Sequence, residues 1–173
     1  MTRTNKQLTI YVLAIILAVI QILFVKDIPL LKTSLVPTNI PTPTTFIGEK
    51  QTILVTRVID GDTIEIEGNI KVRYVGINSP ESEQCFSNEA YLENKKLVEG
   101  KTVTLIKDVS DKDKYGRLLR YVYLNDLFVN DYLIKNGFAK IMMIKPDIKY
   151  YQEFKIGEKE AKEKKFGIWD KCN

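Results

Sequence analysis

Gln51 to Ile77, QTILVTRVIDGDTIEIEGNIKVRYVGI, reads as three successive β-strands folded back on one another. Gln51 to Val58 is rich in β-branched residues, which suit a pleated, half-buried surface. Asp60-Gly61-Asp62 is a turn signal. Thr63 to Glu67 then alternates apolar and polar residues at the period of two that a strand requires. Gly68-Asn69 supplies a two-residue hairpin turn. Lys71 to Ile77 returns with Val72, Tyr74 and Gly76 facing opposite to Arg73, Val75 and Ile77, and Ser79-Pro80 ends it.

Working outward, Ser87 as N-cap, Glu89 in the first turn and Gly100 as a stop frame a helix over 88–99. Lys101 to Lys107 reads as a strand, Val109 to Gly116 as a charged loop closed by a tight turn, and Arg117 to Leu124 as another strand. After the turn Asn125-Asp126, Leu127–Val129 forms a short strand, and Asn130 caps a brief helix that Gly137 stops. Phe138–Met142 forms one more strand. Pro146-Asp147 opens a final helix, Ile148–Lys165, with Glu158/Lys162 and Glu160/Lys164 paired at i,i+4 on its exposed side. Phe166, Ile168 and Trp169 are expected to dock after it. The class is α+β, mainly β: a five-stranded Greek-key barrel of the OB type with about three helices. Periodicity alone also admits another small α+β roll.

Ahead of the barrel, Leu8 to Val25 runs 18 residues without a charge. As a helix it would rise about 27 Å, close to the ~30 Å of a bilayer's hydrocarbon core. No small-x-small cleavage site follows it. The expected organisation is a short cytoplasmic N-terminus (1–7), a transmembrane signal anchor (8–25), a Pro/Thr-rich tether (26–50) and the barrel domain (51–173). The domain would then sit outside the cytoplasm on a single-pass anchor in the cell membrane, with secretion after signal cleavage as the alternative. Cys85 and Cys172 both follow the tether, so an oxidising compartment would pair them. Two free thiols are the other reading.

The chain contains no histidine, which excludes imidazole catalysis and His-ligated zinc. Its formal charge is +4, and residues 1–49 hold four of the 26 basic and two of the 22 acidic residues, so the remainder is nearly neutral. A broad basic field for coating nucleic acid is therefore absent, although a local basic cleft is compatible. What stands out is an ordered set at strand ends and turns: Asp60-Gly61-Asp62-Thr63, Arg73, Ser79-Pro80-Glu81 and Asp113-Lys114-Tyr115-Gly116-Arg117. Carboxylates supply oxygen ligands for a hard cation and a base for water. Guanidinium forks match phosphate and stay charged. That is equipment for phosphodiester cleavage. Singly, each residue has a plainer role: a hairpin turn for Asp60–Asp62, a solvated strand face for Arg73, a first-turn helix acid for Glu81.

Taken in order, Val58–Thr63, Arg73–Glu81, Asp113–Arg117, Val129-Asn130 through Gly137–Lys140 and Gly167-Ile168-Trp169 resemble the thermonuclease (staphylococcal nuclease-like) family across about Gln51 to Lys171. The resemblance implies an OB-fold, calcium-dependent endonuclease acting on DNA and/or RNA and leaving 3′-phosphates. It assigns Asp62 as principal metal carboxylate with Asp60 in support, Asn78 and the Ser79 carbonyl as further metal ligands, and Glu81 as general base. Arg73 and Arg117 fall at the phosphate-binding arginines, with Lys114 and Tyr115 beside the substrate. Asn78 stands where many members carry Asp, which removes one negative charge. Met143 and Lys145 stand where base-side tyrosines are found. A monomer is expected, and the alternative is an OB module that binds single strands without cutting them.

Overall fold

The computed structural model describes residues 50–172. The expected membrane span and all but the last residue of the tether lie outside them, and among the described residues no helix is long and apolar enough to cross a membrane. Strands β1 (Lys50–Asp60), β2 (Thr63–Ile66) and β3 (Ile70–Tyr74) form the expected meander. Helix α1 (Ser87–Val98) precedes β5 (Thr102–Ile106) and β6 (Leu118–Leu124), with the short β4 (Gly76–Asn78) before it. After β7 (Leu127–Phe128) come α2 (Val129–Lys135), β8 (Lys140–Met142), α3 (Tyr151–Glu163) and the single turn α4 (Ile168–Lys171).

Strand β1 serves two neighbours. Lys50–Leu54 pairs antiparallel with β5, while Val55–Asp60 pairs with β2 across two register shifts that bend the strand. Antiparallel β2–β3 and β5–β6 pairings continue the sheet, and β3 closes on β6 in parallel register, Val72 opposite Leu118 and Arg73 opposite Leu119. The result is a closed five-stranded barrel, as the strand pattern implied. Val55, Ile64, Ile66, Val72, Tyr74, Leu105 and Val122 fill it, each fully buried or nearly so. An aliphatic side chain of this size contributes about 1.5–3 kcal/mol on burial.

Four local expectations need correction. The strand predicted from Lys71 to Ile77 breaks at Val75, because Gly76 takes φ +80° and sits where a Cβ would lie 2.7 Å from the Phe154 ring. Chain direction changes there, so β4 leaves the barrel and pairs with β8. Asn130 does not cap a helix. Its Oδ1 accepts from Val122 N (2.9 Å) and its Nδ2 donates to the Val75 carbonyl (2.9 Å), which staples the break to β6. Ser87 is the first helical residue rather than the cap. That position belongs to Phe86, at φ +69°, whose ring stacks on Phe138 at 5.7 Å. The last helix starts at Tyr151 rather than Ile148, since Asp147 accepts from the Val109 and Ser110 N–H groups (3.0 and 2.8 Å) and anchors a loop instead.

Beyond α3, Ile168 is buried, Trp169 lies under Lys162 Nζ (4.4 Å from the ring centroid) and Phe166 remains exposed. Cys85 and Cys172 are bonded, joining the loop after β4 to the end of α4. Their sequence separation is 87 residues. A crosslink over so long a loop stabilises by up to ~4–5 kcal/mol through the unfolded chain's entropy. The double variant Cys85→Ser/Cys172→Ser should therefore unfold at clearly lower urea concentration than wild type; an unchanged midpoint would deny the bond any part in stability.

Candidate active site

The turn between β1 and β2 is built by its own side chains. Asp60 Oδ1 accepts from the Asp62 N–H at 2.9 Å, the local bond that lets Asp hold a tight turn. Asn94, buried on α1, donates from Nδ2 to the Asp60 carbonyl (3.0 Å) and accepts from the Tyr74 hydroxyl (3.0 Å). Gly61 lies against Ser79: a Cβ there would come within 2.6 Å of the Ser79 Cβ and 2.9 Å of the Ala90 Cβ. Only a residue without a side chain allows that approach.

The approach matters because it brings the end of β4 onto Asp62. Asp62 Oδ2 accepts from the Ser79 N–H at 2.6 Å and pairs with Arg73 Nη2 at 3.0 Å. Its Oδ1 accepts from the Thr63 hydroxyl at 3.2 Å. Asp62 is only 4% exposed. Burial pushes its carboxyl up to about 7; Arg73 opposes the rise and the neighbouring Asp60 adds to it. A second positive charge at this place would relieve that carboxylate.

Arg73 is a clamp. Nη1 donates to the Tyr74 and Ile77 carbonyls (2.7 and 2.8 Å), and Nη2 donates to Asn78 Oδ1 (2.8 Å) while forming the ion pair with Asp62. Three hydrogen bonds and one ion pair thus commit both terminal nitrogens across the β3–β4 break, and Nε–H makes no hydrogen bond among the described residues. Asn78 Nδ2 donates to the Ser79 carbonyl at 3.2 Å. Amide and carbonyl oxygens each keep a lone pair, since each accepts one hydrogen bond here. Among the described residues no three carboxylate or cysteine side chains converge. The donor set is mixed: two carboxylates, an amide and a main-chain carbonyl. Such all-oxygen donors suit a hard cation that tolerates irregular geometry.

Glu81, two residues past Ser79, is exposed; its N–H donates to Gln84 Oε1 and its carbonyl accepts from Gln84 N, both at 2.9 Å. Its carboxylate makes no ion pair among the described residues. On the other wall, Asp113 organises the turn before β6. Its Oδ1 accepts from the Tyr115 and Arg117 N–H groups (2.9 and 3.0 Å), and its Oδ2 from Arg117 Nε at 2.6 Å. Burial acts to raise the Asp113 carboxyl, but these bonds together hold it below the ordinary carboxylate range. Arg117 is held by Nε alone, so both terminal nitrogens are available as a fork. Tyr115 is 71% exposed, with Lys114 Nζ 4.9 Å and Arg117 Cζ 5.6 Å from its ring centroid.

Asp60, Asp62, Arg73, Asn78 and Ser79 therefore form one hydrogen-bonded unit, Glu81 borders it, and Lys114, Tyr115 and Arg117 form a second group. The parallel β3–β6 register relates the two groups, with Arg117 two positions before the partner of Arg73. Sequence reading missed the supports. Asn94 sits inside a helix where a lone polar residue looks solvent-facing, Asn130 reads as a helix cap, and Asp147 reads as a helix start. No local pattern distinguishes a buried amide from an exposed one.

Residues 71–171 match the family model described as "Staphylococcal nuclease homologue". The chain belongs to the staphylococcal nuclease family. Similar members include Endonuclease YncB of Bacillus subtilis, 39% identical over 137 residues, covering 72% of this chain and 65% of that one. The thermonuclease of Staphylococcus hyicus is 34% identical over 131 residues, covering 70% and 78%. SPbeta prophage-derived endonuclease YokF of Bacillus subtilis is 40% identical over 126 residues, covering 66% and 43%. This chain thus spans 43% and 65% of the lengths of the two Bacillus relatives. An alignment over 72% of 173 residues necessarily includes positions 50–124, hence the whole acid–arginine set.

Within this nuclease-family site, Gly61→Ala should destabilise the fold by about 1–3 kcal/mol, the range for forcing a methyl group into a filled place. Urea denaturation checks it, and wild-type stability would mean that Ser79 is not held against the turn.

Proposed function

We propose that the chain is a membrane-anchored, calcium-dependent endonuclease that hydrolyses phosphodiester bonds of DNA and/or RNA outside the cytoplasm. The observation that carries this reading is the buried Asp62 carboxylate, fixed by Ser79 N–H and Arg73 beside an unpaired Glu81 and an Arg117 with a free fork. The nuclease names of its relatives support the same chemistry.

Asp62, Asn78 Oδ1 and the Ser79 carbonyl would hold the calcium, with Asp60 behind them. Bound there, the ion supplies charge neutralisation and orientation for a phosphate oxygen. Glu81 takes a proton from water as the water oxygen attacks phosphorus; the bond from phosphorus to the 5′-oxygen breaks, and that oxygen gains a proton from solvent. Arg117 donates its terminal fork to the phosphoryl oxygens, where charge builds in the transition state. Arg73, with Nε–H as its uncommitted donor, adds positive charge and keeps Asp62 and Asn78 in place. Lys114 and Tyr115 flank the strand being cut.

The full chain in mild detergent should degrade single-stranded DNA or RNA with millimolar calcium and lose that activity on chelation. Intact polymer with calcium and with magnesium alike would leave only a binding module. Glu81→Gln and Arg117→Ala should each lower kcat by roughly 10²-fold, the scale of losing one preorganised transition-state contact. Wild-type turnover in either would remove its role. Asn78→Asp restores a negative charge and should tighten calcium binding in a calorimetric titration; unaltered affinity would mean that position 78 does not meet the ion.

A further inference from the structure

A cleft of about 870 Å³ among the described residues is not lined by Asp62. It runs from Arg117 and Tyr115 over the barrel wall and is bordered by Lys71, Lys107 and Lys112. These three lysines come from separate places: the second residue of β3, the residue just after β5, and the loop before β6. None makes an ion pair or a side-chain hydrogen bond among the described residues. Asp111 is the lone carboxylate of the lining, and Arg120 neutralises it at 2.7 Å. In a domain that is otherwise nearly neutral, four uncompensated or half-compensated cations thus face one concavity.

The wall carrying Lys112 is held rigidly. Lys112 bridges Leu118, Arg120 Nη1 donates to the Asp111 carbonyl at 3.0 Å, and Asp147 anchors Val109 and Ser110 at the loop's start. Arg120 itself is 5% exposed, so its charge serves the loop and not a ligand. A solvating lysine fringe would need no such scaffold.

We propose that this cleft is a backbone-binding groove for single-stranded nucleic acid, in which Lys71, Lys107 and Lys112 take phosphates distant from the one under attack. The inference rests on the nuclease reading and extends it to substrate length. Three features favour a nucleic-acid strand over an anionic membrane. The cations line a concave path rather than a flat face. The path is continuous with the free fork of Arg117, and the exposed Tyr115 ring offers a stacking surface for a base. Lysines contact phosphates as point charges and carry no sequence information, so the groove favours long strands of any sequence.

The test is a binding measurement under chelation, where nothing is cut. Fluorescent oligothymidylates, one of three nucleotides and one of about twelve, are titrated into the full chain and into Lys71→Gln/Lys107→Gln/Lys112→Gln at several salt concentrations. The longer strand should bind the triple variant at least tenfold more weakly. Its salt slope should be shallower by about two, since single strands release roughly 0.7 ions per phosphate contacted. The trinucleotide should bind both proteins alike, and the corresponding triple Arg variant should restore the longer strand's affinity. Circular dichroism verifies that the variants are folded. Equal affinity of wild type and the Gln variant for the long strand overturns the groove. So does selective loss of binding to phosphatidylserine-containing over neutral vesicles with oligonucleotide binding unchanged. Long-strand binding with the expected lysine dependence, but no cleavage under any cation, would keep the groove and reject the nuclease reading.

Discussion

A buried carboxylate held between a main-chain N–H and a guanidinium is the contact that joins the β1–β2 turn to the end of β4. Asp62 Oδ2 accepts from Ser79 N–H at 2.6 Å and forms an ion pair with Arg73 Nη2 at 3.0 Å. Removing an ion pair's partner from such a buried place leaves an uncompensated charge, a change of about 3–5 kcal/mol. Burial alone would favour protonated Asp62; Arg73 resists that, and Asp60 works against it.

The barrel exists in a form that makes this contact possible. Closing β3 on β6 turns the chain sharply after Tyr74, and Gly76 lets β4 peel away toward β8. That departure carries Asn78 and Ser79 back over the Asp60–Asp62 turn, where Gly61 leaves room for them. Asn130 and Asn94 then lock the corner from two helices. The same parallel closure brings the Asp113–Arg117 turn to the neighbouring wall. Fold and site share one set of constraints, so a change at Gly61 or Gly76 disturbs both.

Much of this was legible in residue order. The period-two alternation of Thr63–Glu67, the Gly68-Asn69 turn and the residues of β5 and β6 announce a small barrel, and the acid–arginine set announces phosphate chemistry. What escaped reading has a common cause. A strand break at Gly76 follows from the Phe154 ring lying over it, 78 residues away in sequence, which no local window contains. Asn130 looked like a cap because Asn favours caps, yet tertiary hydrogen bonds to Val122 and Val75 decided its place. Arg73 read as a phosphate fork, while three internal hydrogen bonds and the ion pair with Asp62 commit both of its terminal nitrogens. Lys71, Lys107 and Lys112 converge only after the barrel closes.

The two arginines thereby differ in their surroundings. Arg73 shapes the anionic corner, and Arg117 faces the cleft that the three lysines extend. Whether an ion completes that corner is open to direct measurement. Calcium titrated calorimetrically into the full chain and into Asp62→Asn should give saturable binding at one site in the first and none in the second. Equal binding by the two proteins, or no binding by wild type, would contradict the claim that Asp62 and its neighbours form a cation site.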